Sequence, residues 1–339
     1  MQAWMLDRYG DAQQVVALRE VPVRELAPDE LAIRIRAASI NPIDLKLAHG
    51  DLRAVQRLRL PVCLGFDVAG EVIAAGASAS GFRPGERVFL RSDRVRLGAF
   101  AEQGCFRADW VARVPESCDF AQAASLPLVG LTTVQGLRER AGLTSGQSIL
   151  IHAGSGGVGT FAVQFARMVG LNVTATCSRR NAAFVESLGA QRVVCYDEQD
   201  YRALPDRYDC VFDLLGGEHT LAAFDVLNPG GSVVSIAGPP DRHFADQVAA
   251  GWLLRQAIAL KSRKVWRRAE SAGMRYFRYL TEPNGAQLAE IASWVDAGAI
   301  RPVLDARFAF ADLKQALARC ASGRARGKVV VEMQQVPAV

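Results

Sequence analysis

The sequence predicts an α/β protein in which a doubly wound parallel sheet is nested inside a β-rich domain built from both ends of the chain. Three observations carry that prediction. From about Ser148 onward, apolar runs alternate with amphipathic helical segments in a βαβ rhythm. Six residues, Gly154-Ser155-Gly156-Gly157-Val158-Gly159, fall between the first such run and the first such helix. The length of 339 residues suits two domains, at roughly 150 residues for each. The change in texture puts one domain at 125–269 and the other at 1–124 with 270–339.

Along the first third, Leu31, Ile33 and Ile35 alternate with Ala32, Arg34 and Arg36, the period of a half-buried strand. Asn41-Pro42 stops that strand, because proline has no N–H to give a ladder and restricts the residue before it. Turns follow at Pro61, Gly65, Gly70, Gly76 and Pro84-Gly85. The apolar stretch 120–134 is broken by Gln122, Ser125, Pro127, Thr132 and Thr133, so it falls short of the roughly 20 residues of a membrane span. Strands are then expected at 148–153, 172–177, 192–196, 208–214 and 232–237, with helices at 157–169 and 181–188. After Asp241 the chain reads as helical and basic. It closes with a strand at 302–308, a helix at 311–320 and a strand at 328–332 that is expected to rejoin the first domain.

Composition excludes several classes. Half of the residues are apolar and 22% are charged, as in a globular protein. Forty Lys and Arg against 35 Asp and Glu leave a net charge of +5, too small an excess to mark a DNA-binding protein. The seven cysteines, at positions 63, 105, 118, 177, 195, 210 and 320, are odd in number and scattered. They read as reduced thiols rather than a disulfide framework. Residues 1–10 have neither the apolar core of a signal peptide nor the Arg- and Ser-rich pattern of a transit peptide, so a cytoplasmic location is expected.

The glycine cluster satisfies G-x-G-x-x-G in the strand-turn-helix context that gives the pattern its meaning. Gly154 permits the tight turn, Gly156 lets the backbone approach a pyrophosphate, and Gly159 lets helix and strand pack. Free N–H groups at the helix start then face the anion. At the end of the next strand, NAD-binding domains carry an acidic residue for the ribose hydroxyls. Here the chain reads Cys177-Ser178-Arg179-Arg180-Asn181. A hydroxyl and two guanidiniums suit a 2′-phosphate, so NADPH is expected in preference to NADH.

Several further segments carry a family resemblance. These are Asn41-Pro42-Ile43-Asp44, the run from Leu64 to Val72, the run from Gly98 to Glu102, Leu126-Pro127, and Gly130-Leu131-Thr132. With the glycine turn, they resemble the zinc-independent quinone oxidoreductases of the medium-chain dehydrogenase/reductase superfamily, in family order over nearly the whole chain. The run from Trp294 to Val303 and that from Arg324 to Lys328 are most similar to the branch of reticulon-4-interacting and chloroplast-type quinone oxidoreductase homologues. The resemblance implies a GroES-like β-rich catalytic domain, a Rossmann domain and a homodimer.

In zinc-dependent relatives the place of Asn41 is a cysteine ligand and Gly65-Phe66-Asp67 would be Gly-His-Glu. Both anchoring ligands are missing here, and no cysteine cluster exists for a structural zinc. Without a Lewis acid, the chemistry implied is hydride transfer to a small molecule that already accepts it, a quinone or an α,β-unsaturated carbonyl. The resemblance places Asn41, Asp44, Lys46 and Thr132 beside the nicotinamide, with Lys46 where other members carry a tyrosine. Lys46 either positions the cofactor or protonates an enolate. The resemblance further implies Ser155, Gly157 and Val158 at the pyrophosphate, Ser178 and Arg179 at the 2′-phosphate, and Tyr196 against the nucleotide. Leu215 would line the nicotinamide crevice, and Arg326 rather than Arg324 would reach a cofactor phosphate. His152 reads as a hydrogen-bonded core histidine.

The stretch 255–278 is rich in Lys and Arg and interleaved with Trp266, Tyr276 and Phe277. It admits three readings: a solvated helical face, weak attraction to an acidic membrane surface, or RNA binding. Two alternatives to the reductase also stand, a zinc-independent alcohol dehydrogenase and a non-enzymatic NADPH-binding protein like ζ-crystallin.

Overall fold

The computed structural model describes residues 1–333. They fall into two compact units, one comprising Met1–Leu131 with the chain from Glu282 onward, the other Thr132–Thr281.

The first unit begins with β1 (Gln2–Leu6), β2 (Val16–Glu20), β3 (Glu30–Ile40) and β4 (Val62–Cys63). It continues through β5 (Asp67–Ala75), β6 (Arg87–Arg91), β7 (Gln103–Arg107) and β8 (Val111–Arg113). The alternation expected around Leu31 is realised in β3, whose Leu31, Ile33 and Ile35 are buried. This strand organises the unit, pairing antiparallel with β5 and β7. Its inward side chains meet Phe66, Phe100 and Phe106 in one continuous core. The end of the chain returns through β15 (Leu304–Ala309), the helix Leu313–Ala321 and β16 (Lys328–Glu332). As expected, β16 rejoins this unit, setting Val330 opposite Ser39 and Val329 opposite Ile40.

The second unit holds β9 (Ser148–Ile151), β10 (Asn172–Cys177), β11 (Arg192–Cys195), β12 (Tyr208–Asp213), β13 (Leu227–Ser235) and β14 (Arg275–Arg278). All are parallel, in the order β11-β10-β9-β12-β13-β14. That is the Rossmann order, with its switch point at the carboxyl ends of β9 and β12.

Two boundaries differ from the sequence reading. The segment after residue 269 stays with the Rossmann unit, because β14 completes the sheet on β13 and buries Tyr276 there. Residues 125–131 belong to the first unit, where the Leu128 N–H donates to Asp67 Oδ1 at 2.8 Å. The region after Asp241 is therefore not helical throughout: its helices Arg242–Gln247 and Trp252–Ser271 lead into that sixth strand.

Candidate functional site

The strand β9 delivers the chain into the glycine turn through Ala153, a non-glycine residue held at φ 49°, in the left-handed region such residues rarely occupy. Two bonds to the neighbouring strand hold that conformation. The Ala153 N–H donates to Thr176 Oγ1 at 3.1 Å, and the Gly154 N–H to the Thr176 carbonyl at 2.8 Å. A side chain at Gly159 would run into the Ala153 carbonyl, so glycine is required there for the helix Gly157–Met168 to start against the turn. No side chain caps that helix at Gly156, leaving its first turn open to an anion. Asn181, which the sequence reading left without a role, donates from Nδ2 to Ser155 Oγ at 3.1 Å and ties the turn to the segment after β10.

Beyond β10, Ser178 is buried while Arg179 and Arg180 are exposed. Two carboxylates that the run 177–181 does not contain stand beside Arg179. The Arg179 N–H donates to Asp197 at 2.9 and 3.2 Å, and its guanidinium stands 3.7 Å from Glu198. Both acids follow β11, which lies beside β10 in the sheet. Tyr196 precedes them and is exposed.

At the end of β12, Asp213 gathers four donors. Its Oδ1 accepts the N–H groups of Leu215 and Gly216 at 3.1 and 2.9 Å, and its Oδ2 accepts the hydroxyls of Thr220 and Ser235 at 2.6 and 2.8 Å. His152 is fully buried with Nδ1 3.3 Å from the same carboxylate. Burial alone would raise the Asp213 pKa. The His152 hydrogen bond and charge, the Thr220 hydroxyl and the Gly216 N–H outweigh it and hold the group well below the usual carboxylate range. This network fixes the turn that presents Leu215 to solvent. Thr132 is buried, its hydroxyl 2.7 Å from that of Thr281 and its carbonyl accepting the Tyr279 hydroxyl at 2.5 Å.

In the first unit, the helix Pro42–His49 carries the other candidates. Asn41 and Asp44 are both buried, and the Asn41 N–H donates to Asp44 Oδ2 at 2.8 Å, so the carboxylate caps the helix start. Asn41 Nδ2 donates to Asp67 Oδ2 at 2.9 Å, which also accepts the Ser39 hydroxyl at 2.7 Å. Into this group reaches the buried ammonium of Lys328. It donates to the Ile40 carbonyl at 3.0 Å and to Asn41 Oδ1, and it lies 3.5 Å from Asp67. Sequence reasoning gave Lys328 and Asp67 no such role, since 261 positions separate them. Lys46, near the end of the helix, is exposed. Arg326 lies in this unit too, its N–H donating to Asp305 Oδ1 at 2.8 Å.

An open helix start at the switch point of a Rossmann sheet marks a dinucleotide-binding protein. Residues 27–116 match the alcohol dehydrogenase GroES-like domain and residues 188–331 the zinc-binding dehydrogenase family. The chain is 31% identical over 359 residues to the mitochondrial NAD(P)H oxidoreductase RTN4IP1 of Danio rerio, covering 99% of this chain and 92% of that one. It is 32% identical over 345 residues to the 2-methylene-furan-3-one reductase of Solanum lycopersicum, covering 98% and 79%. The solved quinone oxidoreductase of Coxiella burnetii is similar with a TM-score of 0.86 at 31% identity, over 98% and 99% of the two chains. The protein belongs to the medium-chain dehydrogenase/reductase superfamily, among relatives that are NAD(P)H-dependent quinone and enone oxidoreductases.

Proposed function

We propose that the protein is an NADPH-dependent reductase that passes hydride to quinones or α,β-unsaturated carbonyls without zinc. The observation that carries the metal-free reading is the Lys328 ammonium held against Asn41 and Asp67. Asn41 and Phe66 stand where the resemblance would put zinc ligands, and a fixed cation beside them repels a second one. Those residues do not suit zinc.

The residues do suit the nucleotide, which when bound supplies the hydride. The open N–H groups after Gly156 receive the pyrophosphate, with Ser155, Gly157 and Val158 around it. Ser178, Arg179 and Arg326 are assigned to the phosphates, Tyr196 to the nucleotide face, and Leu215 and Thr132 to the nicotinamide half. Asn41 and Asp44 work through the helix they hold in place, and exposed Lys46 is the side chain free to meet the cofactor carboxamide or the acceptor. Seven unpaired thiols suit a reducing cytoplasm, and a homodimer is carried over from the resemblance.

The direct test follows NADPH oxidation against a panel of quinones and enones in the presence of a chelator. Turnover on at least one of the two acceptor classes supports the reading; loss of activity with chelator that added zinc restores overturns the metal-free part.

Fluorescence titration should show tighter binding of NADPH than of NADH, with Arg179→Ala narrowing the gap about tenfold. That is the low end for a hydrogen bond to a charged group, because Arg179 is exposed and shares its charge with Glu198. Equal affinities in the wild type would remove the 2′-phosphate assignment.

Lys46→Met should weaken NADPH binding and slow quinones and enones by a similar factor of about ten, as expected for a positioning group common to all acceptors. A loss confined to enones under single-turnover conditions would make Lys46 the proton donor instead.

A further inference from the structure

The helix Trp252–Ser271 packs on its unit through Ile258, Ser262, Val265 and Ala269, spaced three and four residues apart. Away from that face stand Trp252, Leu253 and Leu260, which are 70%, 75% and 72% exposed. Leu253, Leu260 and Arg267 follow one another at seven-residue steps and so share a stripe, with Arg263 and Lys264 on either side. Two other cations of the helix are neutralised, Arg255 by Asp246 and Arg268 by Asp225. Among the described residues no carboxylate pairs with Arg263, Lys264 or Arg267, all three exposed.

We infer that this face docks the protein on an anionic phospholipid surface, with Trp252, Leu253 and Leu260 entering the headgroup region and the three cations meeting lipid phosphates. Charge complementarity selects this occupant. A second copy docking about a two-fold axis would set the patch against itself, and three unpaired cations on each side would repel. A nucleic acid would satisfy the cations but leave Leu253 and Leu260 in water, with Trp252 the one exposed aromatic side chain on the helix for a base to stack on. A bilayer interface takes both parts of the stripe, since tryptophan prefers that depth and leucine gains by leaving water. The inference does not depend on which acceptor is reduced.

The test is cosedimentation of the full chain with vesicles of phosphatidylcholine alone and with phosphatidylserine added. Binding is expected only with phosphatidylserine, falling as salt rises. Lys264→Gln should lower the partition about fivefold, the equivalent of about 1 kcal/mol for one basic residue near the surface. Leu253→Ser with Leu260→Ser should lower it at least about tenfold, while turnover of a water-soluble acceptor stays at the wild-type rate and shows that the variants are folded. No partition of the wild type, or equal partition of the double serine variant, overturns the inference. So does binding of a single-stranded oligonucleotide that survives the serine changes without vesicle binding, and so does self-association that Leu253→Ser abolishes.

Discussion

Lys328→Met should lower the free energy of unfolding by about 3–5 kcal/mol, the cost of leaving a buried charge without its partner. Lys328 and Asp67 are both buried, and the Asp67 carboxylate is surrounded by donors that are themselves fixed: the Ser39 hydroxyl, the Asn41 amide and the Leu128 N–H. Methionine keeps most of the lysine volume and removes the one formal positive charge that donates to this group. The carboxylate then keeps its neutral donors and the buried Arg91 charge across the β5–β6 pair, but loses the ammonium closest to it, in a place water does not reach.

Asp67→Asn in the same chain should recover only part of the loss, because the under-paired carboxylate is then gone while buried Arg91 gives up the opposite charge it faces most strongly. Urea unfolding of the wild type, both single variants and the double variant measures this cycle. A Lys328→Met cost below about 1 kcal/mol would mean that the ammonium contributes like a surface pair. A zinc ion would then meet less repulsion beside Asn41 than the metal-free reading requires.

The limits of the sequence have the same physical origin as this network. The Rossmann core was legible because its signals are local: β9, the glycine turn and the following helix are contiguous, and each apolar run reports its own burial. The strand β14 was not legible, because Arg275-Tyr276-Phe277-Arg278 places one buried tyrosine among charged neighbours at the end of a basic helix. Only pairing with β13 makes it a strand. The cluster around Asn41 was half legible. The Asn-Pro-x-Asp pattern marks a helix start in any chain, but the lysine that balances Asp67 arrives on the last described strand, through β16 pairing with β3. Asp197 and Glu198 escaped notice beside Arg179 for the same reason, since adjacent parallel strands bring their ends together across an intervening helix.

Asp44→Asn should flatten the dependence of stability on pH between about 4 and 7, and should leave the variant more stable than the wild type above neutrality. Burial pushes the Asp44 pKa up to about 7, and the neighbouring Asp67 pushes the same way. The Asn41 N–H and the charges of Lys328 and Arg91 act against them and do not prevail. One oxygen caps the helix, while Oδ1 is buried with no hydrogen-bond partner among the described residues.

The sign follows from proton counting. The folded chain holds this proton up to about pH 7, whereas the unfolded chain releases it near pH 4. The stability it contributes is therefore complete below the unfolded pKa and is lost as pH rises through the folded one, by up to about 4 kcal/mol. Asp213 and Asp305 run the other way, their pKa values lowered in the fold, and destabilise the protein as pH falls. Both remain in the variant, so subtracting the two urea-unfolding curves across pH isolates Asp44. Asparagine keeps an oxygen for the Asn41 N–H and does not titrate, so the difference should be flat below pH 4 and grow to neutrality. A difference that stays flat over the whole range would mean that Lys328 and Arg91 keep Asp44 ionised, and that the helix start carries a charge throughout.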